Sequence, residues 1–472
     1  MSLIEWKTVS TKVLVIGLDC AAPELVFDEF RRDLPTISRL METGAYARME
    51  SCHPPITIPA WMVMSTSMDP GRLGLYGFRH RRGFSYKEGW IANSLSVREE
   101  KIWNILARAG KKICIVGVPP SYPPPPIANG ELVSCFITPD SNREYTYPSE
   151  LKKEIEALVG PYPFDLEFRT DQRETLLKDL YDMTEKHFQV IRHLITTRKW
   201  DYFQFVEIGV DRMHHAFWKY FDKQHPKYTP GNPFEHVGLD YYKLLDEHIG
   251  ELLTLVPKDT VVLVVSDHGA KGMRGAFCVN EWLIQEGYLV LKEKPKGIVD
   301  LDKADVDWSK TKAWAWGGYY ARVFFNIKGR EAEGVIDASE FEHERDTLTK
   351  KLMEIPDPKG RRMETRVYRP EDLYPVSMGD KPDLMVYFDD LYWRSAGTLG
   401  HGSLYLSEND TGPDDAVHAQ YGIFIINDPK LKLKGRIPDV KILDIAPTLL
   451  QRMDVAVPPS MEGQPIKLDF SK

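Results

Sequence analysis

The sequence predicts an α/β protein with a mostly parallel central sheet flanked by helices. Two observations carry this expectation. Short, continuously apolar, β-branched runs alternate with segments of helical periodicity, as a sheet buried on both faces requires. Three of those runs also end in carboxylate or imidazole residues, at the strand ends where open α/β sheets collect ligands. A chain of 472 residues can bury such a sheet and still carry insertions.

The runs at 12–18 (KVLVIGL), 112–118 (KICIVGV), 202–208 (YFQFVEI) and 260–265 (TVVLVV) each read as a strand. Between them the spacing predicts one helix ending before Gly44, one ending before Gly110, a long one within 171–199 and another over about 234–255. Two stretches break this regularity. Pro119 to Pro126 (PPSYPPPP) suits neither a helix nor a central strand, and it opens an excursion from the sheet over about 119–168. A second excursion covers about 290–370 and holds the aromatic cluster Trp314, Trp316, Tyr319 and Tyr320 and a strand at 322–327. Both read as insertions in a single domain over residues 1–472, either cap-like segments over the sheet's active edge or a flank with no substrate role. The sheet is expected to return at 383–388 and 421–426, before a closing helix at about 440–453.

Composition narrows the function. With 43% hydrophobic and 28% charged residues the chain is not collagen-like, coiled-coil or mostly disordered. No run approaches the roughly 20 apolar residues of a membrane helix. Lys plus Arg is 61 against 69 Asp plus Glu, a net charge of −8, which disfavours a broad nucleic-acid or anionic-membrane surface. An anionic small-molecule substrate would need a local cationic site. Cys20, Cys52, Cys114, Cys135 and Cys278 show no C-x-x-C spacing, so neither a thiolate zinc site nor a disulfide framework is expected. The N-terminus lacks a secretory h-region, and a cytoplasmic location is expected.

The strand ends carry the chemistry. The first run ends in Asp19, the third is followed by Asp211 and His215, and the fourth by Asp267 and His268. Carboxylates gathered at one sheet edge are costly unless a cation sits among them, which points to a metal cluster. Asp211 and His215 are four apart and share a helical face. In the segment 54–61 (PPITIPAW), Pro59 suits the first turn of a helix reaching about Met68, and Thr57 lies just before that helix. A hydroxyl there meets the positive end of the helix dipole, which favours an alkoxide or a phosphoryl oxygen.

Taken in order, VIGLD, PPITIPAW, VEIGVDRMHH, VVSDHG and DDAVHAQYGIFII resemble the alkaline phosphatase superfamily, in its type I phosphodiesterase/nucleotide pyrophosphatase branch. The resemblance covers most of the chain and implies an alkaline-phosphatase-like fold and a metal-dependent phosphoester hydrolase with Thr57 as nucleophile. It implies two divalent metals, one on Asp211, His215 and His418, the other on Asp19, Asp267, His268 and the Thr57 oxygen. Zinc suits these nitrogen and oxygen ligands best, with manganese, iron or magnesium as alternatives. His418 precedes a strand, so it reaches the site only if that strand is antiparallel or its loop curls over, and His401 competes with it. Within the superfamily, phosphomonoesterase and phosphomutase readings remain open, as does a catalytically degenerate binding module. A sulfatase is disfavoured because CHPPI lacks the C-x-P-x-R arginine, and Cys20-Ala21-Ala22-Pro23 after the first strand excludes a dinucleotide-binding turn.

The resemblance also implies a substrate-orienting asparagine where this chain has Phe78. The cationic run after it, with Arg79, Arg81 and Arg82, is either a solvated loop or a clamp for an anionic ester group. The segment 407–415 (SENDTGPDD) reads as a turn in preference to a calcium loop.

Overall fold

The computed structural model describes residues 11–469. Five parallel strands form the middle of the main sheet, in the spatial order Val261–Val265, Val13–Leu18, Tyr202–Glu207, Ile113–Val116 and Gly130–Val133. Tyr421–Asn427 runs antiparallel to Val261–Val265 and to Ala45–Glu50 beyond it, and Thr146–Tyr147 closes the other edge. Alternate residues of Val13–Leu18 enter opposite cores. Leu14, Ile16 and Leu18 pack with the helices Pro35–Thr43, Arg173–Thr197, Gly209–Phe221 and Val237–Leu255. Val13 and Val15 pack with Thr57–Thr66, Ile102–Arg108 and Ile445–Arg452. This two-sided burial explains why the central strands are apolar without alternation.

Two expectations about the excursions are corrected. Residues 119–168 do not leave the sheet, because Gly130–Val133 and Thr146–Tyr147 extend it and the proline run is the loop between neighbouring strands. Only Leu132 and Val133 of the GELV strand are fully buried, too short an apolar run to announce a strand. Conversely, Leu384–Tyr387 does not rejoin the main sheet. It pairs with Ala321–Phe325 in a separate four-stranded sheet that also holds Ala313–Trp316 and Arg366–Tyr368. Leu384 and Val386 face one apolar cluster and Met385 and Tyr387 another, so this strand has the same unbroken apolar run as a main-sheet strand. The strand Ala45–Glu50 escapes the sequence reading because polar residues interrupt its run.

Gly17 sets how closely the Thr57–Thr66 helix approaches the central strand. A Cβ there would lie 2.6 Å from the Trp61 ring and 2.8 Å from the Phe205 carbonyl oxygen. Gly17→Ala is therefore expected to lower the unfolding free energy by about 1–3 kcal/mol, the usual effect of overpacking. Urea denaturation checks this, and an unchanged midpoint would show that the helix has room to move.

Candidate metal centre

The three parallel strands at the middle of the sheet deliver their following residues to one edge. Asp19 follows Val13–Leu18, Asp211 and His215 lie on the helix Gly209–Phe221 after Tyr202–Glu207, and Asp267 and His268 follow Val261–Val265. Thr57 is the first residue of its helix, one position later than expected, and that helix ends at Thr66, where Ser67 turns left-handed. His418 arrives from the opposite direction. Its strand Ala416–Ala419 runs antiparallel to Gly269–Gly272, which places His418 beside Ala270. The antiparallel route is thus the one the chain takes, while His401 hydrogen-bonds Thr398 at 2.7 Å.

All of these side chains are buried, and their atoms fall into two groups. Asp211 Oδ1, His215 Nε2 and His418 Nε2 lie 3.3, 3.3 and 3.5 Å apart. His268 Nε2 lies 3.2 Å from Asp267 Oδ2, 3.3 Å from Thr57 Oγ1 and 3.9 Å from Asp19 Oδ1. A tetrahedral zinc with bonds of about 2.0–2.1 Å separates its ligand atoms by roughly 3.3 Å.

The pairing of the remaining atoms is regular. Asp19 Oδ2 accepts from Trp61 Nε1 at 2.8 Å, Asp267 Oδ1 from the Cys20 amide at 3.2 Å, and Asp211 Oδ2 from Arg212. Each carboxylate's other oxygen is buried with no hydrogen-bond partner. Each imidazole likewise uses Nδ1 outward: His215 on Asp414 at 2.7 Å, His418 on the Pro55 carbonyl at 2.8 Å and His268 on the Gly269 carbonyl at 3.1 Å. Three oxygens without a hydrogen-bond partner and the three Nε2 atoms are gathered together, and two sets among them lie close enough to be candidate metal clusters: Asp211, His268 and His418 with Cys20, and Asp19, Asp267 and His268.

The electrostatics show the strain of that arrangement without cations. Burial, then Asp211, pushes Asp19 well above the ordinary carboxylate range, and burial, then Asp19, does the same to Asp267. Asp211 is also buried, but His215 and Arg212 hold it well below that range. Burial opposes charge on His215, yet Asp414 and Asp211 push it up to about 9. His418 is lowered to about 4 by burial, which keeps it in the neutral form a metal needs. Cys20 lies within reach of the Asp211, His268 and His418 atoms, and burial, then Asp211, pushes its thiol up, so it stays protonated.

The type I phosphodiesterase/nucleotide pyrophosphatase family model matches residues 13–414. The chain belongs to that family. It is a phosphoric ester hydrolase, its family is metal-dependent, and its alkaline-phosphatase-type fold is seen in distant solved structures. Murine ectonucleotide pyrophosphatase/phosphodiesterase 5 superposes with a TM-score of 0.57 at 13% identity, covering 95% of this chain and 96% of that one. The human counterpart gives 0.56 at 12%, covering 96% and 97%. An inactive threonine-to-alanine variant of the murine protein, in complex with AMP, gives 0.57 at 12%, covering 95% and 96%. No curated protein sequence matches the chain.

Within this family member the expected substrate residues separate. Phe78 is half-buried against Phe136, with ring centroids 6.2 Å apart. Arg81 is not a clamp. It is buried on the strand Arg79–Arg81, pairs with Glu331 at 3.0 Å and stacks over Trp314 and Phe324, so its donors are engaged inside the smaller sheet's core. Arg79 and Arg82 are exposed. The alternation of a strand turns the middle of a cationic run inward, which no count of charges reveals.

Several residues at the site went unread in the sequence. Asp414, in the segment read as a turn, orients His215 and is held in turn by Arg394 at 2.6 Å and Arg169 at 3.3 Å. Its one sequence signal is its position four residues before His418. Tyr319, noted in the sequence only as part of the aromatic cluster of the second excursion, stacks on His418 with centroids 3.6 Å apart and brings its hydroxyl to 3.2 Å from His215 Nε2. Phe168, from the end of the first excursion, lies 5.5 Å from the His215 ring.

Asp414→Asn is expected to weaken divalent-metal binding by about 10–100-fold, the usual effect of losing a ligand's supporting carboxylate. Competition with a chelating dye measures it. In metal-free protein, Asp19, Asp267 and His215 all bind protons more tightly when folded than unfolded. Stability from His215 is complete below its unfolded value of 6.5 and is lost as pH rises through about 9. Melting temperature in chelator should therefore fall between those pH values. With zinc it should hold or rise, because metal binding requires the deprotonated ligands.

Proposed function

We propose that the protein hydrolyses small-molecule phosphodiesters through a threonine nucleophile and two divalent metal ions, zinc being the best fit. Asp211, His215 and His418 would hold one ion, and Asp19, Asp267, His268 and Thr57 the other. The observation that carries this reading is the set of three unpartnered carboxylate oxygens, of Asp19, Asp211 and Asp267, grouped with the Nε2 atoms of His215, His268 and His418 near Thr57 Oγ1. As three buried carboxylates the pocket would repel a phosphate; two divalent ions reverse that sign. When bound, such ions supply positive charge for the phosphoryl oxygens and lower the pKa of a hydroxyl or water.

The chain's own residues set up the displacement. Thr57 starts a helix whose preceding residue, Ile56, provides no side-chain cap, so first-turn amides remain for a phosphoryl oxygen. Its Oγ attacks phosphorus, the bond to one ester oxygen breaks, and the departing alcohol takes up a proton. Water then attacks phosphorus in the phosphothreonine, which breaks the bond to Oγ and restores the hydroxyl. Two in-line displacements retain configuration at phosphorus. Tyr319, lying over His418, walls one side of the reacting group and limits its access to water. The AMP held by the murine relative's variant supports a phosphate ester of nucleotide size as ligand.

Thr57→Ala is expected to lower turnover of a p-nitrophenyl phosphodiester by at least about 10³-fold while metal content stays at two ions per chain. Substantial residual turnover would mean that water attacks phosphorus directly. His418→Ala should lose one ion and His401→Ala none. Elemental analysis of protein purified without added metal decides this, and one ion or none in active wild-type protein would overturn the two-metal reading.

A further inference from the structure

Arg322 is a half-buried cation without an anion. It lies on the strand Ala321–Phe325, three residues after Tyr319. Its guanidinium donates to the Arg79 carbonyl and sits over the Trp316 ring, 5.3 Å from the centroid. The other buried or half-buried arginines around the smaller sheet and the site each have a carboxylate: Arg81 has Glu331, Arg330 has Asp383, Arg345 has Glu371, Arg394 has Asp414. Among the described residues no acid pairs with Arg322. Burial and the nearby Arg79 charge both disfavour its protonated state, opposed by Tyr320. The residue is half-buried, so part of it faces accessible space.

The position of that charge gives it a use. The point where a side chain on Gly77 would begin is 3.7 Å from Arg322 Nη1 and 4.0 Å from Ile56 Cδ1, and Ile56 immediately precedes Thr57. A Cβ on Gly77 would make ordinary contact with both, so the gap between the guanidinium and the Ile56 side chain is one that a methyl group would fill and the glycine leaves open. Tyr320 closes the gap's back, its hydroxyl donating to the Tyr76 carbonyl at 2.6 Å. Arg79, exposed on the same side, adds a second cation with no carboxylate partner among the described residues.

We propose that Arg322, with Arg79 beside it, binds a second anionic group of the substrate, a carboxylate or phosphate on the ester arm that is not attacked. The assignment rests on Thr57 being the nucleophile. Arg322 is held by its carbonyl and ring contacts in one orientation, so its remaining fork of donors can take both oxygens of such a group. A neutral arm would leave the guanidinium partly desolvated and unpaired, a penalty that discriminates between substrates.

The test uses metal-loaded full-length protein and p-nitrophenyl phosphodiesters whose second arm has two to five carbons and ends in methyl or carboxylate. Wild-type protein should prefer the carboxylate at one or more lengths. Arg322→Ala should raise KM for that arm at least about tenfold more than for the methyl arm, and Arg322→Lys should recover part of the difference. Equal KM changes on both arms, or no wild-type preference at any length, would overturn the proposal. Calorimetric titration with 3-phosphonopropionate and propylphosphonate reads the same contact without turnover. There the wild type should favour the carboxylate ligand and Arg322→Ala should lose that preference; an equal preference in both proteins would also overturn it. Failure of wild-type protein to hydrolyse either arm would count against the Thr57 reading, and the titration would still decide on Arg322.

Discussion

Three carboxylates buried at one edge of a sheet must each be held in place without being satisfied, and most of what surrounds the site serves that requirement. Asp19, Asp211 and Asp267 each have one oxygen tied to Trp61, Arg212 or the Cys20 amide and the other bare. A fully paired carboxylate would be neutral ground for a cation, and an untethered one would turn toward solvent. The half-satisfied state costs stability, as the upward push on Asp19 and Asp267 records. A bound divalent ion would return that cost as affinity.

The tethers run deep into the fold. Asp19 is aimed by Trp61, Trp61 lies against Gly17 of the central strand, and the helix that carries Trp61 begins with Thr57. One packing contact therefore helps set the distance between the Asp19 carboxylate and the Thr57 hydroxyl. On the other side, His215 leans on Asp414, Asp414 on Arg394, and Arg394 lies 4.2 Å from the Tyr319 ring that covers His418. Tyr319, in the turn before a strand of the smaller sheet, is joined to the centre by this chain of charge and stacking. Arg322 lies three residues after Tyr319 on that sheet's strand Ala321–Phe325.

Some of this was open to reading in the linear chain. The strands ending at Leu18, Glu207 and Val265 are apolar without alternation because both faces are covered, and the polar residues that follow them stand out by contrast. The i, i+4 spacing of Asp211 and His215 is local helical geometry, and the Thr57 helix is announced by Pro59. The same rule misled at Leu384–Tyr387, whose two faces are covered by two different clusters, and it missed Ala45–Glu50, whose faces are not equally apolar. Periodicity reports how many faces are buried and not which sheet buries them.

The sequence by itself determined the class of fold and the strand ends after which Asp19, Asp211, His215, Asp267 and His268 stand, because each follows from patterns a few residues long. Only the tertiary structure decided the rest. It set His418 beside Asp211 and His215 through an antiparallel pairing across nearly 150 residues of chain separation, and His401 beside Thr398. It made Asp414 a support for His215, turned Arg81 into core structure with Glu331 and left Arg322 without a carboxylate partner among the described residues. Those roles depend on which distant acid or ring a side chain meets, and a charge read along the chain carries no information about the partner that folding brings to it.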